Sequence, residues 1–238
     1  MRLASPDPAS RPSPRRGWSL TLLGGVCLLG AAVAWADWSF ERILRNAEQR
    51  YGALGPARAR ILDWQALLAS SGNLTELEKL QAVNRHFNRQ LIFSDDIRIW
   101  GKNDFWATPI EALVKGAADC EDYSLAKYFS LRQLGVPTDK LRLTYVKALK
   151  LNQAHMVVTY YPSPDAEPLV LDNLINSILP AGQRTDLLPV YAFNAEGLYL
   201  FKGRGVKRAS DSKRLSRWQD VLRKMRAEGF SESAGRAL

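Results

Sequence analysis

The sequence is poor in cysteine, with only Cys27 and Cys120 among its 238 residues. Cys27 lies in an N-terminal segment that we predict is removed on export, so Cys120 remains as a single thiol. A single cysteine excludes an internal disulfide, although exported proteins normally pair their thiols. Cys120 is therefore either a small buried apolar residue or a reactive group.

Charged residues are missing between Trp18 and Ala34, and several arginines precede that run. The run ends in the small-x-small pattern Ala34-Trp35-Ala36, which is typical of a signal-peptide cleavage site before Asp37. We therefore predict that residues 1–36 are a signal peptide. The apolar run is also long enough to span a bilayer, so an uncleaved anchor is the alternative.

A basic excess is absent from the middle of the chain, although the net charge is +9. Residues 37–201 carry 18 basic and 19 acidic residues, whereas residues 202–238 carry eleven basic and four acidic ones. Basic residues are not interleaved with exposed aromatics over the body, so no nucleic-acid partner is expected. No internal repeat is visible. We predict one domain over 37–201, followed by a basic tail over 202–238.

Apolar residues at helical spacing predict helices throughout the first half of the mature chain. Two capping boxes mark helix starts, one at Thr75 with Glu78 and one at Thr108 with Glu111. A further helix is expected to begin at Asp119, its predicted N-cap, with a buried face formed by Leu125, Tyr128, Phe129 and Leu131. This places Cys120 in the first turn of that helix.

The apolar period changes to two after residue 140, which predicts strands at 140–149, 155–161 and 169–174. With a turn centred on Ser163 and Pro164, His155 would face Asp172 directly across the last two strands. A turn centred one residue later makes the two diagonal neighbours, and a turn of odd parity puts them on opposite faces. The fold class predicted is α+β, with N-terminal helices and an antiparallel sheet.

These positions predict a nucleophile with its base. A thiol at a helix N-terminus has a lowered pKa, so Cys120 is the candidate nucleophile. His155 would hold the thiolate and later protonate a leaving amine, and Asp172 would fix the histidine tautomer. The alternatives are a structural cysteine, a satisfied half-buried histidine and an aspartate that begins a turn.

Three acids surround the candidate nucleophile, namely Asp119, Glu121 and Asp122. Their negative charge would raise the pKa of Cys120 and oppose the thiolate. A bound hard cation would remove that penalty, and carboxylates this close together suit Ca²⁺. The alternative is that these acids only complement the helix dipole.

Five short stretches together resemble the bacterial transglutaminase-like cysteine proteinases of the LapG type: Trp106-Ala107-Thr108-Pro109, Asp119-Cys120-Glu121-Asp122-Tyr123, Leu134-Gly135-Val136-Pro137, Ala154-His155-Met156-Val157 and Val170-Leu171-Asp172-Asn173-Leu174. The resemblance covers about residues 80–200. It implies a papain-like, transglutaminase-like fold and a periplasmic cysteine endopeptidase. It also implies calcium dependence, carried over onto Asp119 and Glu121, with Asp122 beside them.

The resemblance further implies a substrate and a regulator. The expected substrate is a large repeat adhesin, cut near its N-terminus so that it leaves the cell surface and the biofilm disperses. The expected partner is an inner-membrane receptor that sequesters the protease when cyclic di-guanylate is high. Two alternatives stay open from the sequence: acyl transfer onto protein glutamine, as in true transglutaminases, and a non-catalytic binding module that keeps the fold.

The basic tail lies beyond the resemblance and contains one amphipathic stretch. Its apolar stripe consists of Leu215, Trp218, Leu222 and Met225, with basic residues around it. We interpret this stretch as a helix docked against the domain with a solvated basic face. The alternative is a surface helix that contacts anionic lipid, in which case the leader or this tail would contact the membrane.

Overall fold

A computed structural model describes residues 38–202 and 205–230. The predicted signal peptide, including Cys27, lies outside these ranges. Within them the helices are α1 Phe40–Tyr51, α2 Pro56–Ser71, α3 Glu76–Gln90, α4 Asp96–Trp100, α5 Pro109–Lys115, α6 Cys120–Gln133 and α7 Ser216–Glu228. None of these described helices combines the length and apolar character needed to cross a bilayer.

The strands of the described part are β1 Ile92–Phe93, β2 Ala117–Ala118, β3 Leu141–Ala148, β4 Gln153–Tyr160, β5 Leu169–Leu171, β6 Leu179–Pro180, β7 Leu187–Phe193, β8 Leu198–Lys202 and β9 Gly205–Ser210. Strands β3 to β9 form one antiparallel sheet in the order β6-β5-β4-β3-β7-β8-β9. Strands β1 and β2 form a short parallel pair. Helices followed by an antiparallel sheet are the α+β class that the sequence predicts.

Both predicted capping boxes are present. The backbone N–H of Thr75 donates to Glu78 at 2.9 Å, and the backbone N–H of Thr108 donates to Glu111 at 3.0 Å. Gly116 then ends α5 with φ of 69°, a left-handed conformation that glycine adopts without strain. These local signals fix the short connection that leads into α6 and so place Cys120 at a helix start.

Helix α6 is the central helix of the fold, because it packs against α3, α5, β3 and β4. Its predicted apolar face is fully buried, and so are its polar residues Ser124, Lys127 and Ser130. Trp64 of α2 donates its ring N–H to Ser130 at 2.8 Å. Packing along the whole of α6 therefore holds its first turn, which contains Cys120, in place.

The pairing of β4 with β5 differs from the direct register considered from the sequence. Val158 pairs with Leu171 and Tyr160 pairs with Leu169, which corresponds to a turn centred one residue later. His155 and Asp172 are diagonal neighbours, with Asp172 just beyond the end of β5. The expectation of direct facing is wrong, and the later-turn alternative is confirmed.

Helix α7 packs its apolar stripe onto the same core as the other helices. Trp218 is 1% exposed and stacks on Phe129 of α6 with ring centroids 5.4 Å apart. Two basic residues of α7 hold the segment before α5: Arg217 pairs with Asp104 at 2.6 Å, and Lys224 donates to the backbone carbonyl of Trp106 at 2.6 Å. The helix is docked, and part of its basic face is used in that docking.

Replacing Trp218 with alanine should destabilise the protein by about 3–5 kcal/mol, because it removes a large, fully buried ring and leaves a cavity. Urea unfolding followed by circular dichroism measures this change. Arg223→Ala, on the exposed side of α7, is the matched control and should change stability by less than about 0.5 kcal/mol. Equal stability of the Trp218 variant and the control would show that α7 does not pack on the core in solution.

Candidate active site

The candidate nucleophile Cys120 is the first residue of α6, and Asp119 occupies the N-cap position. The Asp119 side chain makes no capping hydrogen bond, which differs from the expected role. The Cys120 thiol is partly exposed and donates to Glu121 Oε2 at 3.0 Å. The backbone N–H of Met156 on β4 donates to the same sulfur. The sulfur therefore has polar neighbours on both helix α6 and strand β4.

The pKa of the Cys120 thiol is raised well above its usual value. Burial is the main cause, and the negative charges of Glu121 and Asp119 add to it. The hydrogen bond from Met156 acts in the opposite direction but is weaker. The acids therefore oppose the thiolate as the sequence predicts, so the helix dipole alone does not activate this cysteine.

His155 and Asp172 form a buried hydrogen-bonded pair. His155 Nε2 lies 2.8 Å from Asp172 Oδ1, and the two residues are 5% and 1% exposed. The backbone N–H of Leu174 donates to the same carboxylate oxygen at 3.1 Å. Burial alone would raise the pKa of Asp172, but the hydrogen bonds from His155, Leu174 and Arg184 lower it to about 2. Asp172 is therefore ionised at neutral pH and acts only as an acceptor.

Arg184 is a member of this group that sequence reasoning missed. Its Nη2 donates to Asp172 Oδ2 at 2.6 Å, and the arginine is 3% exposed. Arg184 lies in the irregular segment after β6, twelve residues beyond the aspartate. No periodicity or motif in the sequence marks this arginine, because its position depends on how that segment folds back on the sheet.

One cleft of about 330 Å³ brings the candidate nucleophile and base together. Cys120 and His155 both line it, and Asp172 lies behind the histidine. Exposed apolar side chains also contribute to the walls, namely Phe93 of β1 and the loop residues Leu151 and Leu174. A cleft open to solvent with a thiol and an imidazole in its wall suits attack on an extended polypeptide.

A cluster of carboxylates lies directly beside the cleft. Asp119 and Asp122 form one group with Asp96, and Glu121 forms another with Asp96 and Asp104. Within each group the oxygens that could bind a metal lie within 4.8 Å of one another. The structure thus brings the three predicted acids close to two that sequence reasoning missed. Asp96 and Asp104 lie before α5 in the sequence, whereas the cysteine motif follows that helix. Nothing in this spacing indicated that the acids share a site.

The carboxylate cluster is suited to bind a cation, because it contains buried oxygens without a hydrogen-bond partner. Asp96 Oδ1, Asp119 Oδ1 and Asp122 Oδ2 are buried and accept no hydrogen bond. Burial, together with the neighbouring acids, raises the pKa of Asp119 to about 10 and also raises the pKa values of Asp96 and Asp122. Buried, unpaired carboxylates are costly unless protonated or bound to a metal, and an all-oxygen set suits Ca²⁺.

Comparison with known proteins decides the family. The sequence model described as bacterial transglutaminase-like cysteine proteinase BTLCP matches residues 66–187. Legionella pneumophila LapG is 43% identical over 79% of this chain and 97% of its own, with a TM-score of 0.68. The chain belongs to this proteinase family. It is a cysteine protease, and the fold is the transglutaminase-like one that the sequence predicts.

Two further structures of the Legionella proteinase are similar to this protease. The EGTA-treated form is 43% identical with a TM-score of 0.69, and the calcium-bound form is 42% identical with a TM-score of 0.67. The EGTA-treated form covers 79% of this chain and 97% of its own, and the calcium-bound form 79% and 99%. No curated protein sequence matches the protease. The family match spans Asp96, Cys120, His155 and Asp172 and ends before α7.

Trp106 of the protease, which begins the first of the stretches that carry the family resemblance, is partly buried and packs against the core. Its ring stacks on Phe193 of β7, with centroids 5.8 Å apart and planes at 19°. Its carbonyl oxygen accepts the hydrogen bond from Lys224. We therefore assign Trp106 a packing role between the segment before α5 and the sheet.

Proposed function

We propose that this protease is a calcium-dependent endopeptidase that works through a triad of Cys120, His155 and Asp172. The observation that carries the proposal is the shared cleft, which Cys120 and His155 both line and behind which Asp172 holds the imidazole at 2.8 Å. Cys120 is the nucleophile, His155 the general base and acid, and Asp172 the group that orients the base.

The hydrogen bond to Asp172 determines which histidine nitrogen acts. An ionised carboxylate can only accept, so the proton of this bond is carried by His155 Nε2. Nδ1 is then the nitrogen left to take the proton from Cys120. The sulfur attacks the peptide carbonyl carbon, Nδ1 gives its proton to the leaving amine, and water then hydrolyses the thioester.

The backbone at the start of α6 supplies a stabilising donor for the reaction. The first N–H groups of a helix have no acceptor within the helix, and the positive end of the helix dipole lies there. The backbone N–H of Cys120 is one of these groups. We assign it to the oxyanion that forms on the carbonyl oxygen.

The carboxylate cluster is the proposed calcium site. Asp96, Asp119 and Asp122 would hold the ion, with Asp104 and Glu121 at the adjoining group. Bound Ca²⁺ would neutralise acids that now raise the pKa of Cys120. The calcium-bound and EGTA-treated forms of the Legionella proteinase support the choice of this ion. Glu121 contacts both the thiol and the cluster, so it links the ion to the nucleophile.

The biological setting follows the family resemblance. We propose that the mature protease acts in the periplasm on the N-terminal region of a large repeat adhesin, so that cleavage releases the adhesin and disperses the biofilm. We propose that an inner-membrane receptor for cyclic di-guanylate sequesters the protease. The predicted signal peptide supports export, and the open cleft supports an extended polypeptide substrate.

Incubation of the protease with the N-terminal region of a repeat adhesin from the same organism should give two fragments. We expect one new N-terminus, because attack of the Cys120 sulfur on a peptide bond releases a polypeptide amine as the thioester forms, and hydrolysis of the thioester then releases the other fragment with a new C-terminus. Gel electrophoresis followed by N-terminal sequencing of the fragments measures this result. Cleavage should occur with calcium supplied and should stop when a chelator is added.

Two other outcomes would contradict this proposal. Release of ammonia with cross-linked or amine-labelled adhesin, and no new N-terminus, would indicate glutamine acyl transfer. Tight binding of an adhesin that stays intact with calcium supplied would indicate a binding module. Glutamine acyl transfer would still use the Cys120 thiol as the nucleophile, whereas a binding module would not use it.

A further inference from the structure

The two carboxylate oxygens of Asp172 are held by different partners. Oδ1 accepts from His155 and from the backbone of Leu174, whereas Oδ2 accepts from Arg184 Nη2 at 2.6 Å. The Asp172 carboxylate therefore has hydrogen-bond donors on both sides. The contact with Arg184 constrains the second oxygen, and with it the plane of the carboxylate and the direction of its bond to the imidazole.

The guanidinium of Arg184 is itself held by a second carboxylate. Arg184 Nε donates to Asp186 Oδ1 at 3.0 Å, and Nη2 donates to Asp186 Oδ2 at 2.9 Å. The carbonyl oxygen of Asp186 accepts from the backbone N–H of Leu149, which follows β3, at 2.8 Å. Arg184 thus joins the Asp172 carboxylate to the β3–β4 loop, which carries cleft residues such as Leu151.

The charges around Asp172 come from three elements. His155 faces it from β4, Arg184 and Asp186 from the segment after β6, and the buried Lys127 from α6. Among the described residues, Arg184 is the arginine or lysine in ion-pair contact with Asp172, and His155 makes the other side-chain contact with this carboxylate. Burial lowers the pKa of Lys127 to about 7, and the charge of Asp172 acts in the opposite direction.

We propose that Arg184 is a positioning residue of this protease, which orients Asp172 so that His155 Nδ1 faces the Cys120 sulfur. The inference rests on the proposed triad. A planar guanidinium can bridge two carboxylates at fixed angles, whereas an ammonium cannot reproduce that geometry. The role is therefore specific to arginine and not only to a positive charge.

Arg184→Met tests this role, with Arg184→Lys beside it, in full-length protein that carries Cys27→Ala so that Cys120 is the remaining thiol. The first readout is the rate of Cys120 alkylation by iodoacetamide with calcium at neutral pH. The second is the ring N–H signal of His155 in ¹⁵N-histidine NMR spectra, which are simple because the chain has two histidines. Neither readout requires a known substrate.

We expect Arg184→Met to slow alkylation about a hundredfold, because a small misplacement of a reacting group has an effect of this size. The Nε2–H signal of the bond to Asp172 should disappear. Arg184→Lys should slow alkylation about tenfold and shift that signal, as loss of an orienting partner does elsewhere. Arg142→Met is the matched control, because Arg142 packs on Tyr161 and Tyr199 away from the cleft, and it should change neither readout.

A folded Arg184→Met variant that keeps the wild-type alkylation rate and the Nε2–H signal would overturn the inference. If that variant does not fold, Arg184→Lys decides, and wild-type values for both of its readouts would also overturn it. His155→Ala separates this inference from the proposed function. Alkylation that does not slow in His155→Ala would remove the triad itself, whereas slow alkylation there with normal rates in both Arg184 variants would remove only the role of Arg184.

Discussion

Replacing Cys120 with alanine should lower adhesin cleavage by about 10⁴- to 10⁶-fold, the range seen when a triad nucleophile or base is removed. The loss follows from the site, since Cys120 is the free thiol of the described residues and it lines the cleft beside His155. Initial rates of adhesin cleavage, measured with calcium supplied, give the change. Substrate binding should change much less than the rate.

The sequence provides a matched control for this experiment in Cys27. Cys27→Ala removes a thiol of the predicted leader and should leave the cleavage rate unchanged. The alanine variant at Cys120 should also keep the unfolding profile of the wild type, because it removes one partly exposed sulfur. An active Cys120→Ala protein would end the proposal of thiol catalysis for this chain.

Local signals in the sequence were sufficient for the helices other than α4 and for the position of the nucleophile. The capping boxes at Thr75 and Thr108 each depend on residues three apart, so their geometry is present in the sequence itself. The helix that starts at Cys120 follows in the same way. These elements form where the pattern predicts them because neighbouring residues decide them.

The strand register was not determined by local signals. Residues 162–165, between β4 and β5, include two prolines and a serine that several turn geometries accommodate, so the sequence left three alternatives for His155 and Asp172. The structure has the diagonal arrangement, and the pair still meets because Asp172 extends beyond β5. The predicted contact between His155 and Asp172 is therefore present, whereas the direct strand register is wrong.

Contacts between distant segments account for the residues that sequence reasoning missed. Asp96 reaches the cluster because α4 packs beside β2, and Arg184 reaches Asp172 because the chain after β6 turns back on the sheet. Asp119 was predicted as a helix cap, but its side chain instead faces Asp96 and Asp122. Such placements depend on the assembled fold, and no spacing rule in a single sequence encodes them.

Replacing Asp96 with asparagine should weaken calcium binding by more than about a hundredfold, because even outer hydrogen-bonding partners of a metal site are worth about 10- to 100-fold. Asp96 is the residue shared by both carboxylate groups, so its loss affects each of them. Isothermal titration of the metal-free protein with calcium gives the affinity. Adhesin cleavage should then require correspondingly more calcium.

The same substitution should maintain or increase the stability of the metal-free protein, although it weakens calcium binding. Asp96 is one of the acids whose charge raises the pKa of Asp119, after burial and the charges of Asp122 and Glu121. Without calcium the variant has one fewer carboxylate in a buried like-charged cluster, and asparagine can still accept the hydrogen bond from the backbone of Phe105. Its melting temperature in chelator should therefore equal or exceed that of the wild type.

Calcium should raise the melting temperature of the wild type but not that of Asp96→Asn, because the variant binds calcium more weakly. A ligand stabilises the folded state by about 4 kcal/mol at a thousand times its Kd and by far less near its Kd. Asp220→Asn removes the same charge from the exposed side of α7 and should keep the full calcium-induced rise. Binding should also release protons, since acids with raised pKa values hold protons until the ion displaces them, so affinity should fall as pH is lowered. A full calcium-induced rise in Asp96→Asn would place the ion elsewhere in the protein and would separate the carboxylate cluster from the calcium requirement.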